Sequence, residues 1–117
     1  MKTLGLWEQV RIRRKTGTKW TPFTAKLDTG AEWSRIGAQE AAQLRLGPIV
    51  DVRTIRSGSV RERRVVVPAT VQIGGCTIAV KFTVSTRRPG VLIGRRTMRK
   101  RFRVDPSQEK SRPLTKP

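Results

Sequence analysis

The sequence predicts a single, mostly β domain with one real helix and a second short helical stretch near its end. Three observations carry this. Period-two alternation of apolar and polar residues covers most of the chain. Gly74-Gly75 sits between two alternating runs, the pattern of a hairpin turn. Helical spacing is confined to Gly37 to Leu46. With 117 residues and 36% hydrophobic content spread along them, the chain suits one domain with a modest core, residues 1-107, and a loose basic tail, residues 108-117.

Taken in order, Leu6 to Arg13 reads as a first strand, with Leu6, Val10 and Ile12 apolar, and Lys15 to Lys19 as a turn. Trp20 to Leu27 is a second strand. Ala38, Ala41, Ala42, Leu44 and Leu46, interspersed with Gln and Glu, suit a helix at about Ala38 to Arg45, closed by Gly47-Pro48. Val50, Val52 and Ile55 form a strand, Ser57-Gly58-Ser59 a turn, and Arg61 to Thr70 a returning strand. Pro68 suggests that this strand is at an edge or ends its pairing there. After Gly74-Gly75, Cys76, Ile78, Val80, Phe82 and Val84 share one face, with Cys76 expected as a buried hydrophobe. Arg87-Arg88-Pro89-Gly90 is a loop. The wholly apolar Val91-Leu92-Ile93 reads as a buried strand. Gly94 follows, then a helical stretch from Arg95 to Lys100 with Met98 inward. Phe102 and Val104 form a last short strand.

Composition excludes several chemistries. The chain has no His and no Tyr, which removes Ser-His triads, Cys-His dyads and HExxH zinc sites. With Cys76 as the single cysteine, neither an intrachain disulfide nor a closed structural zinc site can be built within one chain. No metal and no cofactor are expected. The lone cysteine, and the absence of any apolar leader or membrane-length run, point to a cytoplasmic protein with no membrane contact. Net charge is +18, from 26 Lys+Arg against 8 Asp+Glu, a field that attracts RNA, DNA or acidic protein segments.

The acid/base candidate is Asp28. Phe23 to Leu27 alternates like a strand running into the tight turn Asp28-Thr29-Gly30-Ala31. In that setting the Asp supplies the acid/base group and the Thr hydroxyl can lock the loop. The Gly lets the backbone turn sharply and leaves room for a water beside the carboxylate. An ordinary turn uses the same residue types.

What distinguishes Asp28 is the order of the elements. A strand ending in Asp-Thr-Gly-Ala is followed by a helix, a hairpin with a small-residue tip, and the apolar-apolar-Gly segment Leu92-Ile93-Gly94 before a helix. That order resembles a retropepsin-like aspartic protease domain. The resemblance implies a β-barrel with one or two short helices. It makes Asp28, Thr29 and Gly30 the catalytic loop, Leu92, Ile93 and Gly94 its structural support, and Ser57, Gly58 and Ser59 the tip of a flap over the substrate. Ala31, Trp33, Arg63 and Arg64 are the further candidates for substrate contact, and Arg87 or Arg88 could border the same groove.

Ala25 to Ala31, Trp33-Ser34, Leu46-Gly47-Pro48, Arg56-Ser57, Glu62 to Val67 and Val91 to Arg96 narrow the match. They resemble a family of small prokaryotic retropepsin-like proteins catalogued as ATP-dependent zinc proteases, or as the RimK/LysX family, across about residues 20 to 107. The chain lacks the His, the paired Cys and the GxxxxGK[ST] loop that such a name implies. It also departs from the family at Ser85 to Pro89, which is shorter and lacks an acid, and at the flap tip.

Peptide hydrolysis by carboxylates needs two of them sharing one proton. Asp51 and Asp105 lack the loop context, so the economical arrangement is a homodimer with one Asp28 from each chain. Two readings follow: an aspartic endopeptidase acting on acidic, glutamate-rich substrates, or a non-catalytic basic β-protein that binds RNA, DNA or the ribosome. The aromatic content is only 5%, and no base-stacking motif accompanies the charge.

Overall fold

In the computed structural model, residues 2–99 and 101–108 are described. Of the expected tail, only Gln108 falls within them, and its carbonyl accepts the Leu6 N–H at 2.8 Å; the remainder lies outside the described residues.

The elements are β1 (Lys2–Leu4), β2 (Trp7–Arg14), β3 (Thr21–Asp28), β4 (Ser34–Gly37), α1 (Ala38–Gln43), β5 (Asp51–Ser57), β6 (Val60–Ile73), β7 (Cys76–Ser85), β8 (Val91–Gly94), α2 (Arg95–Met98) and β9 (Phe102–Val104). The main sheet runs β2-β3-β8-β4-β7-β6, and β6 pairs back onto β2, so these strands close into a barrel. Closure removes the open edges that would otherwise template aggregation. Alternation along the strands fills the interior: Val10, Ile12, Ala25, Leu27, Ile36, Val67, Ala69, Val71, Ile73, Ile78, Val80, Phe82, Val91 and Ile93 form one buried cluster. Leu4 and Phe102, from the small parallel sheet β1–β9, belong to the same cluster beside the β6–β7 turn.

β6 changes partner midway. Val60 to Val66 pair with β5, whereas Ala69 to Gln72 pair with β2, and β7 runs along the other edge from Val66 to Ile73. Pro68 therefore does not end the strand. It pairs with Lys81 on one side and falls where β5 has stopped and β2 has not begun, a position where a missing N–H removes no ladder bond. The change of partner also lets the β5–β6 hairpin project from the barrel.

Other expectations are corrected. Cys76 is exposed, not buried: it opens β7 directly after the Gly74-Gly75 turn, and the inward face of β7 starts at Ile78. The strands β1 and β4 are additional: each is too short to show a period, and each pairs only with a chain-distant partner. α1 is six residues long, and Arg45 at φ 53 turns the chain before Gly47-Pro48 is reached.

Candidate active site

β3 delivers Asp28. Ala25 and Leu27 are buried in the barrel, which fixes the strand's register and leaves Asp28 half-buried at its end. There the chain turns. The Gly30 N–H donates to Asp28 Oδ1 at 2.9 Å, and the Ala31 N–H donates to the Asp28 carbonyl at 3.2 Å. A side chain at Gly30 would put its Cβ 3.1 Å from Asp28 Oδ1, so glycine keeps that carboxylate oxygen uncrowded. Thr29 and Gly30 are exposed, and the Thr29 hydroxyl makes no hydrogen bond among the described residues.

The loop is braced from behind by β8 and α2. Asp28 pairs in parallel register with Gly94. A Cβ at Gly94 would lie 2.6 Å from the backbone C and O of Trp33 and 2.9 Å from the Ala31 carbonyl. Its φ of −91 would suit any residue; only the space demands glycine. The Arg95 N–H donates to the Ala31 carbonyl at 2.7 Å and the Arg96 N–H to the Glu32 carbonyl at 3.2 Å. Buried Ser34 accepts the Gly94 N–H at 3.1 Å through Oγ and meets Thr97 Oγ1 at 2.6 Å. Its carbonyl takes a hydrogen bond from buried Thr83 Oγ1 at 3.1 Å.

A cleft of about 640 Å³ opens in front of this loop. Asp28, Gly30 and Ala31 line it with Trp33, Arg35 and Leu92; Thr54, Ile55, Arg56 and Arg64 line it from the β5–β6 hairpin, and Arg88 and Arg95 from the β8 side. Thr29, Ile93, Gly94, and Gly58 and Ser59 of the hairpin tip, do not line it, and the Ser57 side chain lies outside the described residues. Arg64 is buried on the cleft side of β6, and Arg63, one residue before it, is exposed on the other face.

Trp33 is clamped between two guanidiniums, Arg53 of β5 at 4.1 Å and Arg96 of α2 at 4.2 Å from the ring centre. Arg96 also pairs with Glu32 at 2.7 Å. This stack ties the hairpin to the loop that follows Asp28.

Five arginines (Arg35, Arg56, Arg64, Arg88 and Arg95) line the cleft against two carboxylates, Asp28 and Glu32. Arg64 is satisfied: Nε pairs with Glu62 at 2.7 Å and Nη1 donates to Thr83 Oγ1 at 3.3 Å. Burial pushes the Glu62 carboxyl up, but hydrogen bonds from Arg64 and Ser85 and the Arg64 charge outweigh it and hold the group below the usual carboxylate range. Arg35 differs. Its Nε is buried with no hydrogen-bond partner among the described residues. Burial first, and then the Arg64 and Arg88 charges, hold its guanidinium below the usual arginine value, with Glu62 and Asp28 pulling the other way. Sequence reasoning missed Arg35 because it missed β4. Once Ser34 and Ile36 are known to face inward, the residue between them must turn toward the cleft.

Among the described residues, no three His, Cys, Asp or Glu gather as a metal site, and no helix is long and apolar enough to cross a membrane.

No protein-family model and no curated protein sequence matches the chain. Solved structures do. EIAV protease, complexed with the inhibitor HBY-793, is 23% identical with a TM-score of 0.65, covering 77% of this chain and 81% of that one. The protease of Simian Foamy Virus (mac) is 16% identical with a TM-score of 0.54, covering 77% and 90%. A protein of unknown function from Legionella pneumophila is 17% identical with a TM-score of 0.59, covering 94% and 97%. The fold is therefore retropepsin-like: a β-barrel with two short helices, shared with viral proteases.

Proposed function

We propose that the protein is an aspartic endopeptidase whose site is completed by two copies of the chain, each contributing Asp28, and that it acts on acidic, glutamate-rich peptides. The observation that carries this is Asp28 itself. It sits at a strand end in a braced turn, with Oδ1 held by the Gly30 N–H, and it opens on a cleft covered by a hairpin. Exposed Thr29 and Gly30 leave the loop free to meet its counterpart across a two-fold axis.

In that arrangement one Asp28 is ionised and takes a proton from a water, whose oxygen attacks the scissile carbonyl carbon. The other Asp28, protonated, hydrogen-bonds the carbonyl oxygen. Collapse of the tetrahedral intermediate breaks the C–N bond, and the departing amine leaves with a proton from the pair. Like charges a few Å apart cannot both ionise easily, which is what keeps one proton shared. Ala31, Trp33 and Arg64 would line the substrate path, with Ser57 to Ser59 as the tip of a flap, Arg63 outside it, and Leu92 to Gly94 as support. No metal or cofactor enters the scheme. The motif set favours kinship with the small prokaryotic RimK/LysX-type family, and a free Cys76 suits a reducing cytoplasm.

The test is Asp28→Asn. Cleavage of glutamate-rich peptides, followed by mass spectrometry, should fall about a thousandfold or more while the fold is retained. Wild-type cleavage should weaken as NaCl rises and persist with a chelator. The second reading, non-catalytic binding of RNA or DNA, draws on the +18 charge. It gains if no peptide is cut and Asp28→Asn leaves oligonucleotide binding unchanged or stronger.

A further inference from the structure

We infer that Arg35, assisted by Arg88, is a carboxylate-recognition subsite inside the cleft, selecting an acidic side chain next to the scissile bond. The assignment of a scissile bond rests on the peptidase reading above; the recognition of a carboxylate does not.

The arginines of the cleft are not equivalent. Arg64 has its ion pair, and Arg95 Nη1 donates to the Gly30 carbonyl at 3.3 Å, bracing the Asp28 turn. Arg35 has neither, and its Nε is buried without a hydrogen bond. A half-buried guanidinium with no ion-pair partner of its own among the described residues is costly to maintain, and deleting it would relieve the protein unless something else compensates it. Glu62 and Asp28 are the acids whose charges reach it, but Arg64 and Ser85 already engage both oxygens of Glu62, and neither acid forms an ion pair with Arg35.

Arg88 is brought to the same place by the backbone. The Gly37 N–H donates to the Gly90 carbonyl at 2.9 Å, and a Cβ at Gly37 would lie 3.2 Å from the Arg88 carbonyl, so the 88–90 loop rests on the end of the strand that carries Arg35. Burial first, and then crowding by Arg64 and Arg88, hold the Arg35 guanidinium below its usual value, and a bound carboxylate would oppose both. A planar guanidinium presents paired donors that match a carboxylate. Recessed within a cleft that also holds Asp28, Arg35 suits a single acidic side chain better than a continuous phosphate backbone.

The experiment uses the full chain carrying Asp28→Asn, so that binding is read without turnover. A short alternating Glu-Leu peptide and its Gln-Leu counterpart are titrated by calorimetry. The Glu peptide should bind about tenfold tighter or more. Adding Arg35→Gln should bring the two affinities together, and Arg35→Lys should restore part of the difference. If Arg35→Gln does not fold by circular dichroism, Arg88→Gln on the exposed loop carries the test and should lower the ratio several-fold. Arg11→Gln, on the outer wall, removes the same charge and should leave the ratio in place.

The subsite is overturned if Arg11→Gln lowers the ratio as much as Arg35→Gln, or if the Glu preference survives loss of both Arg35 and Arg88. It is also overturned if an oligoribonucleotide, and not the Glu peptide, is what depends on Arg35. An Arg35-dependent Glu preference in a protein that cuts nothing would sink the peptidase reading and leave the subsite standing.

Discussion

Two regions face each other across the cleft and are built in opposite ways. The Asp28 loop is cross-braced: Gly94 packs against its backbone, Arg95 and Arg96 bond its carbonyls, and Ser34, Thr83 and Thr97 tie it down in a buried polar network. The β5–β6 hairpin is a two-stranded ribbon. Its first strand is exposed, with Val52 46% accessible, as is Val60 at the start of β6, and β5 pairs with β6 alone. Two side-chain devices hold it to the body, the Arg64–Glu62 group on β6 and the Arg53–Trp33 stack on β5. Stability in a fold is not uniform, and the segments with few buried apolar contacts open first. The molecule thus keeps Asp28 on the braced side of the cleft and the hairpin on the less buried side.

The largest effect is expected on the rigid side. Gly94→Val forces a side chain onto the backbone of Trp33 and Ala31, which cannot swing aside as a flexible side chain would. It should destabilise by about 3 kcal/mol or more and displace the Asp28 turn, read by urea denaturation and, on the proposed peptidase reading, by loss of peptide cleavage. A mild effect would mean that the loop is less tightly braced than its contacts imply.

Next is Glu62→Gln, which leaves Arg64 buried without its counter-charge and should cost about 3 kcal/mol. The pH dependence has a definite sign. The folded carboxyl lies below its ordinary value of 4.5, so its contribution is fully present above that pH and is lost as pH falls through the lower folded value. Wild type should therefore lose more stability than Glu62→Gln between about pH 5 and about pH 3. Parallel curves would remove this pair as an anchor of the hairpin.

The smallest effect is Trp33→Leu. Removing the ring takes away two stacked guanidiniums, with about 1 kcal/mol for each such contact. Global stability should fall by no more than about 2 kcal/mol, and amide exchange along residues 51–57 should rise about fivefold. Equal protection in both proteins would show that the stack is not what holds β5 down.

Local pattern was enough for much of this. The apolar spacing of Val10 and Ile12, of Ile78, Val80 and Phe82, and the run Val91-Leu92-Ile93 marked inward faces that the barrel uses. Asp28 at a strand end, the turn at Gly58, the hairpin at Gly74-Gly75 and the helix at Ala38 were readable because each depends on residues a few positions apart. What depended on partners far along the chain was not. β1 and β4 exist because Phe102, Thr83 and Leu92 pair with them. Pro68 is tolerated because β6 changes neighbours at that point, and Cys76 is exposed at the turn end of β7, whose inward face starts at Ile78. The cleft shows the same division. Sequence marked a row of arginines after the hairpin tip, but a strand's side chains alternate by one residue, and only the pairing register decides that Arg64 turns inward and Arg63 outward. Arg35 gains its place only when β4 is laid between β7 and β8, because the lack of a partner is a property of the surroundings and not of the residue.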